Sequence, residues 1–253
     1  SREFESRLEI LKQQGMRALI FDLRDNGGGL LDAAVSISDL FLTEGKTIVS
    51  TDGRSTAQST TQSSAKTLLP DLPVVVLING QSASASEIVA GALKDNDRAL
   101  IVGTRSFGKG SVQQLLPLGE GDRAIKLTTA YWYIPSGRLI HRQDGAEQWG
   151  VDPSPGCFVP MDDEQTRAMI LKRRAVDTDD PYKALSGPIT PAWVRETLLD
   201  DPLAAALETA QAQLSGGVWP KVGVARDQAL AEPTEREALE RRRDELQQLL
   251  EQA

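Results

Sequence analysis

Apolar positions in the first half of the chain come in short runs, each ended by a turn signal. Arg17 to Leu23 (RALIFDL) is a continuous run that stops at the polar, glycine-rich stretch from Arg24 to Gly29, the pattern of a buried strand followed by a tight loop. From Leu30 to Leu42 the apolar residues return at helical spacing (Leu31, Ala34, Val35, Leu42). Leu72 to Ile78 (LPVVVLI) reads as a strand buried on both faces, closed by Asn79–Gly80. A helical pattern over Ser84 to Leu93 follows, then a short strand from Ala99 to Val102 and a glycine-punctuated loop from Gly103 to Gly110. Thr47 to Ser50 and the β-branched, aromatic stretch from Ile125 to Tyr133 add two more strands. Asp52 to Lys66, nearly all Ser, Thr and Gln, predicts a solvated loop or flexible ribbon with nothing to bury. Strands alternating with helices predict an α/β core.

After about Pro160 the pattern becomes helical, Ala-rich and charged, which divides the chain into a core, 1–160, and a helical C-terminal region, 161–253. Pro202 to Leu214 is a clear amphipathic helix. In Thr234 to Ala253, Leu239, Leu246 and Ala253 stand seven apart. The plain reading is a solvated helix on its own chain, and the alternative is a homo-oligomer contact through that helix.

Composition then narrows the chemistry. With 28 basic and 36 acidic residues, the net charge of -8 argues against nucleic acid as the main partner. One cysteine, Cys157, excludes an internal disulfide within the chain and a cysteine-rich metal site. The single histidine, His141, leaves one imidazole for any Ser/His/Asp arrangement, so a lysine base becomes a live option.

Three segments could carry that chemistry. Asn79 to Glu87 (NGQSASASE) places serines between a strand and a helix, beside backbone N–H groups that favour developing negative charge. Spacing alone leaves Ser82, Ser84 and Ser86 as equal candidates, and helix capping explains them equally well. Gly103 to Gln113 (GTRSFGKGSVQ) nearly spells a phosphate-binding loop, but Gly110 stands where the magnesium-holding hydroxyl is needed. Lys109, between glycines and near Phe107 and Val112, would suit a dry site in which desolvation favours the neutral amine. The plain alternative is a surface lysine. Asp22 to Gly29 (DLRDNGGG) supplies three glycines able to aim N–H groups at an oxyanion. Nucleophile, base and oxyanion donors together are the parts of an acyl-transfer site.

The motifs DLRDNGGGLL (Asp22–Leu31), NGQSASASEIVAGAL (Asn79–Leu93), VGTRSFGKGSVQ (Val102–Gln113) and KLTTAYWYIPSGRLI (Lys126–Ile140), in that order, resemble the C-terminal processing peptidases, or tail-specific proteases. The resemblance implies a crotonase-like α/β core and a Ser–Lys dyad: Ser84 as nucleophile, Lys109 as base, Gln113 orienting the lysine from the same face of a helical turn. It implies oxyanion donors at Ala85 and at Gly28 or Gly29, leaving His141 without a catalytic part and requiring no metal or organic cofactor. By the same resemblance the substrates would be proteins or peptides, lying extended as an added strand and cleaved near their C termini outside the cytoplasm, for instance in the periplasm. A regulatory or adaptor protein is a further implied partner, and a PDZ domain would normally precede the core. The sequence departs from the family after Gly150–Val151–Asp152–Pro153, where Ser154 follows, and by an insertion, His141 to Trp149. A different class of function, a non-catalytic peptide- or ligand-binding module on the same scaffold, is disfavoured by the joint presence of Ser84, Lys109 and Gln113.

Overall fold

The computed structural model describes residues 2–53, 56–118, 123–178 and 188–224. Its centre is a parallel sheet of β1 (Leu19–Asp22), β4 (Val74–Ile78) and β5 (Leu100–Gly103), in the order β1-β4-β5. Strand β4 is central and wholly buried, which explains its unbroken apolar run. Its side chains alternate. Val74, Val76 and Ile78 face a core shared with α1 (Arg2–Gln13), α2 (Leu31–Asp39) and α3 (Ala85–Asp95). Val75 and Leu77 face the opposite layer, where Ala205, Ala206 and Ala210 of a helix over Asp201–Leu214 pack on them.

The small residues of that helix let its backbone approach the sheet, so the C-terminal region helps cover the second face of the core. Along the chain, that helix is preceded by α4 (Asp163–Thr178) and a short turn, Pro191–Trp193, that runs into a π-helical turn, Val194–Leu198. The helix over Asp201–Leu214 is α5. This α/β core with a helical C-terminal region is the expected fold class.

A second sheet is antiparallel, in the order β3-β2-β7-β6, from β2 (Thr47–Gly53), β3 (Thr56–Gln62), β6 (Ser111–Pro117) and β7 (Ala124–Tyr133). Two of these strands correct the sequence expectation. Part of the stretch predicted as a solvated loop, Asp52 to Lys66, is strand β3 paired to β2, with cross-strand bonds such as the 3.1 Å contact of the Ser50 and Thr60 hydroxyls in place of burial. The residues after Gly110 pair with β7 as strand β6 and form no helical turn. The terminal helix predicted over Thr234–Ala253, with its oligomer contact, lies outside the described residues.

Candidate active site

The site forms where β4 ends. Three side chains shape the turn that follows. Ser82 is fully buried, donates its hydroxyl to Leu23 O (2.7 Å) and accepts the Asn79 N–H (3.0 Å). Asn79 Oδ1 accepts the N–H of Asp25 (3.0 Å), and its amide donates to Asp25 Oδ1 (2.9 Å). Asn26 O accepts the Ala83 N–H (3.0 Å). The loop after β1 and the turn after β4 are thereby laced together.

Ser84 ends the turn at φ 58°, ψ −118°, a region costly for a residue with a side chain, and α3 begins at the next residue. It is 8% exposed. Ala85, at the first position of α3, has an N–H with no intrahelical acceptor, at the positive end of the helix. Gly28 (φ +89°) approaches this elbow directly: a Cβ there would lie 2.7 Å from Ala85 N and 2.9 Å from Ser84 Cβ. Its own N–H donates to Asn26 Oδ1 at 2.9 Å, whereas Gly29 stands in open space.

The third segment arrives through Glu87. This fully buried carboxylate accepts four hydrogen bonds. Oε1 takes the Ser106 hydroxyl (2.6 Å) and the Gly108 N–H (2.7 Å), and Oε2 takes the N–H groups of Ser84 (2.8 Å) and Lys109 (2.8 Å). Burial pushes the Glu87 carboxyl above its usual range, and the bonds from Ser106, Gly108, Lys109 and Ser84 pull it back only in part. Ser106 Oγ also accepts the Val151 N–H (2.6 Å), which ties the segment before Pro153 to the same buried cluster.

Ser84 and Lys109 therefore share one acceptor atom, and their backbone nitrogens lie no more than 5.6 Å apart, the sum of the two 2.8 Å bonds. The Lys109 side chain is exposed, however, and among the described residues no hydrogen bond joins its amine to the Ser84 hydroxyl. The expected dry environment is not formed around it. The Phe107 N–H is fixed to Ser82 O (3.0 Å) and the residue is 51% exposed, while Val112 packs against the main core. Gln113 is exposed on β6, opposite Thr128 and beside a bulge, so it shares no helical face with Lys109. The His141 ring lies against Tyr131, with centroids 5.0 Å apart and the planes tilted by 41°.

Two positions carry weight that sequence reasoning passed over. Glu87 was legible, because Ser84 to Glu87 spells the S-x-x-E of a capping box. Arg24 was not. Its guanidinium bonds Asp22 and, 176 residues away, Asp200.

Comparison with known proteins decides the family. The profile of peptidase family S41 matches residues 1–154. The chain belongs to that family. A carboxy-terminal-processing protease of Bartonella bacilliformis is 55% identical over 127 residues, covering 49% of this chain and 29% of that protein. A probable CtpA-like serine protease of Staphylococcus epidermidis is 34% identical over 221 residues, covering 83% of this chain and 43% of its own length. The chain thus spans less than half of these relatives. Among solved structures, the photosystem II D1 C-terminal processing protease aligns at 35% identity with a TM-score of 0.52, covering 60% of this chain and 36% of that one. A putative S41 protease of Bacteroides fragilis shares the fold alone, at 17% identity and a TM-score of 0.50 over 85% of this chain and 50% of that one.

Proposed function

We propose that this S41 family member is a serine endopeptidase acting through Ser84 and Lys109. The observation that carries the reading is the single Glu87 oxygen that accepts both backbone N–H groups at 2.8 Å. A lysine side chain reaches about 6 Å from its Cα to its Nζ. With its backbone held that close, and with Gly108 and Gly110 on either side, Lys109 needs only a side-chain rotation and a small loop adjustment to meet the Ser84 hydroxyl.

In that arrangement the neutral lysine amine takes the hydroxyl proton as Ser84 Oγ attacks a peptide carbonyl. The same proton then goes to the leaving amine, and water hydrolyses the acyl-enzyme with the lysine again as base. Ala85 N–H supplies one oxyanion donor. For the second, Gly28 is nearer the elbow but its N–H is held by Asn26, so the substrate oxygen either displaces that bond or uses the N–H of Gly29. Gln113 would assist the lysine from the start of β6. The substrates would be proteins or peptides cut near their C termini, outside the cytoplasm, with a regulatory or adaptor protein as partner.

The experiment is cleavage of unfolded casein by the full-length protein and its Ser84→Ala and Lys109→Arg variants. Both variants are expected to be inactive while keeping the native circular dichroism spectrum, since arginine cannot act as a base at workable pH. Undiminished cleavage by Ser84→Ala overturns the nucleophile, and activity in Lys109→Arg removes the lysine from the base role. The exposure of Lys109 favours a second reading, a peptide-binding module without turnover. That reading predicts peptide binding with no Ser84-dependent cleavage at all.

A further inference from the structure

The helical C-terminal region meets the loop after β1 at Arg24, chiefly through one buried carboxylate. Arg24 follows β1 by two residues, and its side chain is only 6% exposed. The guanidinium makes four bonds to two carboxylates. Nε meets Asp22 Oδ1 (3.0 Å), Nη2 meets Asp22 Oδ2 (2.7 Å) and Asp200 Oδ2 (2.9 Å), and Nη1 meets Asp200 Oδ1 (2.7 Å). Asp200 is fully buried, also caps α5 by accepting the Leu203 N–H (3.0 Å), and lies beyond the residues 1–154 that match the family. Arg173 of α4 faces the same two carboxylates, at 3.7 Å from Asp22 and 3.8 Å from Asp200.

The residues after Arg24 form a continuous chain of contacts to the nucleophile. The N–H of Asp25 is held by Asn79, Asn26 O holds Ala83, and Gly28 lies against Ser84. Arg24 is thus the fixed end of a loop whose far end touches the elbow. We propose that Asp200 is a positioning residue for the site: by holding Arg24 from outside the shared peptidase core, it fixes the Asp22–Gly29 loop against the Ser84 turn and so sets the oxyanion side of the reaction. This rests on the reading of Ser84 as nucleophile.

The test uses the full-length protein. Asp200→Asn keeps the volume of the side chain and its capping oxygen but removes the charge facing Arg24. Expected are a fall in kcat for casein cleavage of tenfold or more with KM within about twofold. Amide hydrogen exchange at Asp25, Gly28 and Ala83 should accelerate at least as much, with the folded circular dichroism spectrum retained. A second variant, Asp200→Asn with Arg24→Met, neutralises both partners. It should recover thermal stability relative to the single variant, because no buried guanidinium is left with only the Asp22 half of its carboxylate bonds, without recovering kcat.

Wild-type kcat and exchange in Asp200→Asn overturn the proposal. Recovery of kcat together with stability in the double variant also overturns it, since a merely structural role would behave that way. If cleavage by the unaltered protein does not depend on Ser84, the nucleophile reading fails instead. Exchange of the three amides then still decides whether Asp200 fixes the loop.

Discussion

Gly28 lies against Ser84 with no room for a side chain: a Cβ on Gly28 would stand 2.9 Å from Ser84 Cβ and 2.4 Å from the Ala83 carbonyl oxygen. The obstruction is backbone, which cannot swing aside as a flexible side chain would, and the φ of +89° is itself unfavourable for alanine. Gly28→Ala must therefore push the Asp22–Gly29 loop away from the Ser84 turn. A displacement near 1 Å at a reacting centre costs about 100-fold in rate. The expected outcome is a drop in kcat/KM of that order for casein cleavage, in a protein that circular dichroism shows to be folded. Gly27→Ala, with nothing within 4 Å of the added methyl, should leave the fold unchanged and serves as the control.

Removing the Glu87 carboxylate should cost stability and activity together. Glu87→Ala strands the N–H groups of Ser84, Gly108 and Lys109 and the Ser106 hydroxyl in a buried site. Each unsatisfied buried donor costs about 1–3 kcal/mol, so the loss should exceed about 3 kcal/mol in denaturant unfolding. Glu87→Gln keeps the shape and one acceptor oxygen but sets an NH₂ group against backbone N–H donors. Its expected stability lies between the other two proteins, and its cleavage rate should fall well below wild type. A Glu87→Gln enzyme with wild-type turnover would separate the carboxylate from the site.

Much of this architecture was legible in the sequence, and the misses share a physical cause. Buried strands announce themselves through apolar runs, as Val74–Ile78 does, because both faces of that strand are covered. Strand β3 lies at the edge of its sheet and is largely exposed, so its Thr and Ser content looks like loop although its backbone is paired. Lys109 was expected in an apolar shelter because Phe107 and Val112 are near it in sequence, yet one side chain turns to solvent and the other into the core. Sequence proximity carries no information about which way a loop faces. The meeting of Arg24 with Asp200 depends on the packing of α5 on the sheet, and no local pattern encodes it.

The pair Asp22–Arg24 gives an acid-dependent contribution to stability. Burial pushes the Asp22 carboxyl up, but the hydrogen bonds and charge of Arg24 outweigh it and hold the group below its ordinary value. A carboxyl lowered in the folded state stabilises the fold above its unfolded pKa, near 4, and that stabilisation is lost as the pH falls through the folded value. Asp22→Asn should therefore melt below wild type at pH 7, and the gap between the two should narrow as the pH falls towards 3. A gap that stays constant over that range would show that Asp22 contributes through shape alone.

The layer that brings Asp200 to the sheet can be weakened at a site remote from the chemistry. Leu77 is fully buried on the β4 face that α5 covers, in the cluster containing Ala205, Ala206 and Ala210. Leu77→Ala opens a cavity there, and such truncations cost about 2–5 kcal/mol. For a chain of this size each kcal/mol lowers Tm by about 2–4 °C, so a fall of about 4–20 °C is expected in a thermal melt. Because α5 begins beside Asp200, the loosened helix should also free Arg24. Exchange at Asp25 and Gly28 should then rise more in Leu77→Ala than in Val76→Ala, whose cavity opens on the opposite face, towards α3. Equal effects of the two truncations would mean that the loop senses overall stability and not the seating of α5.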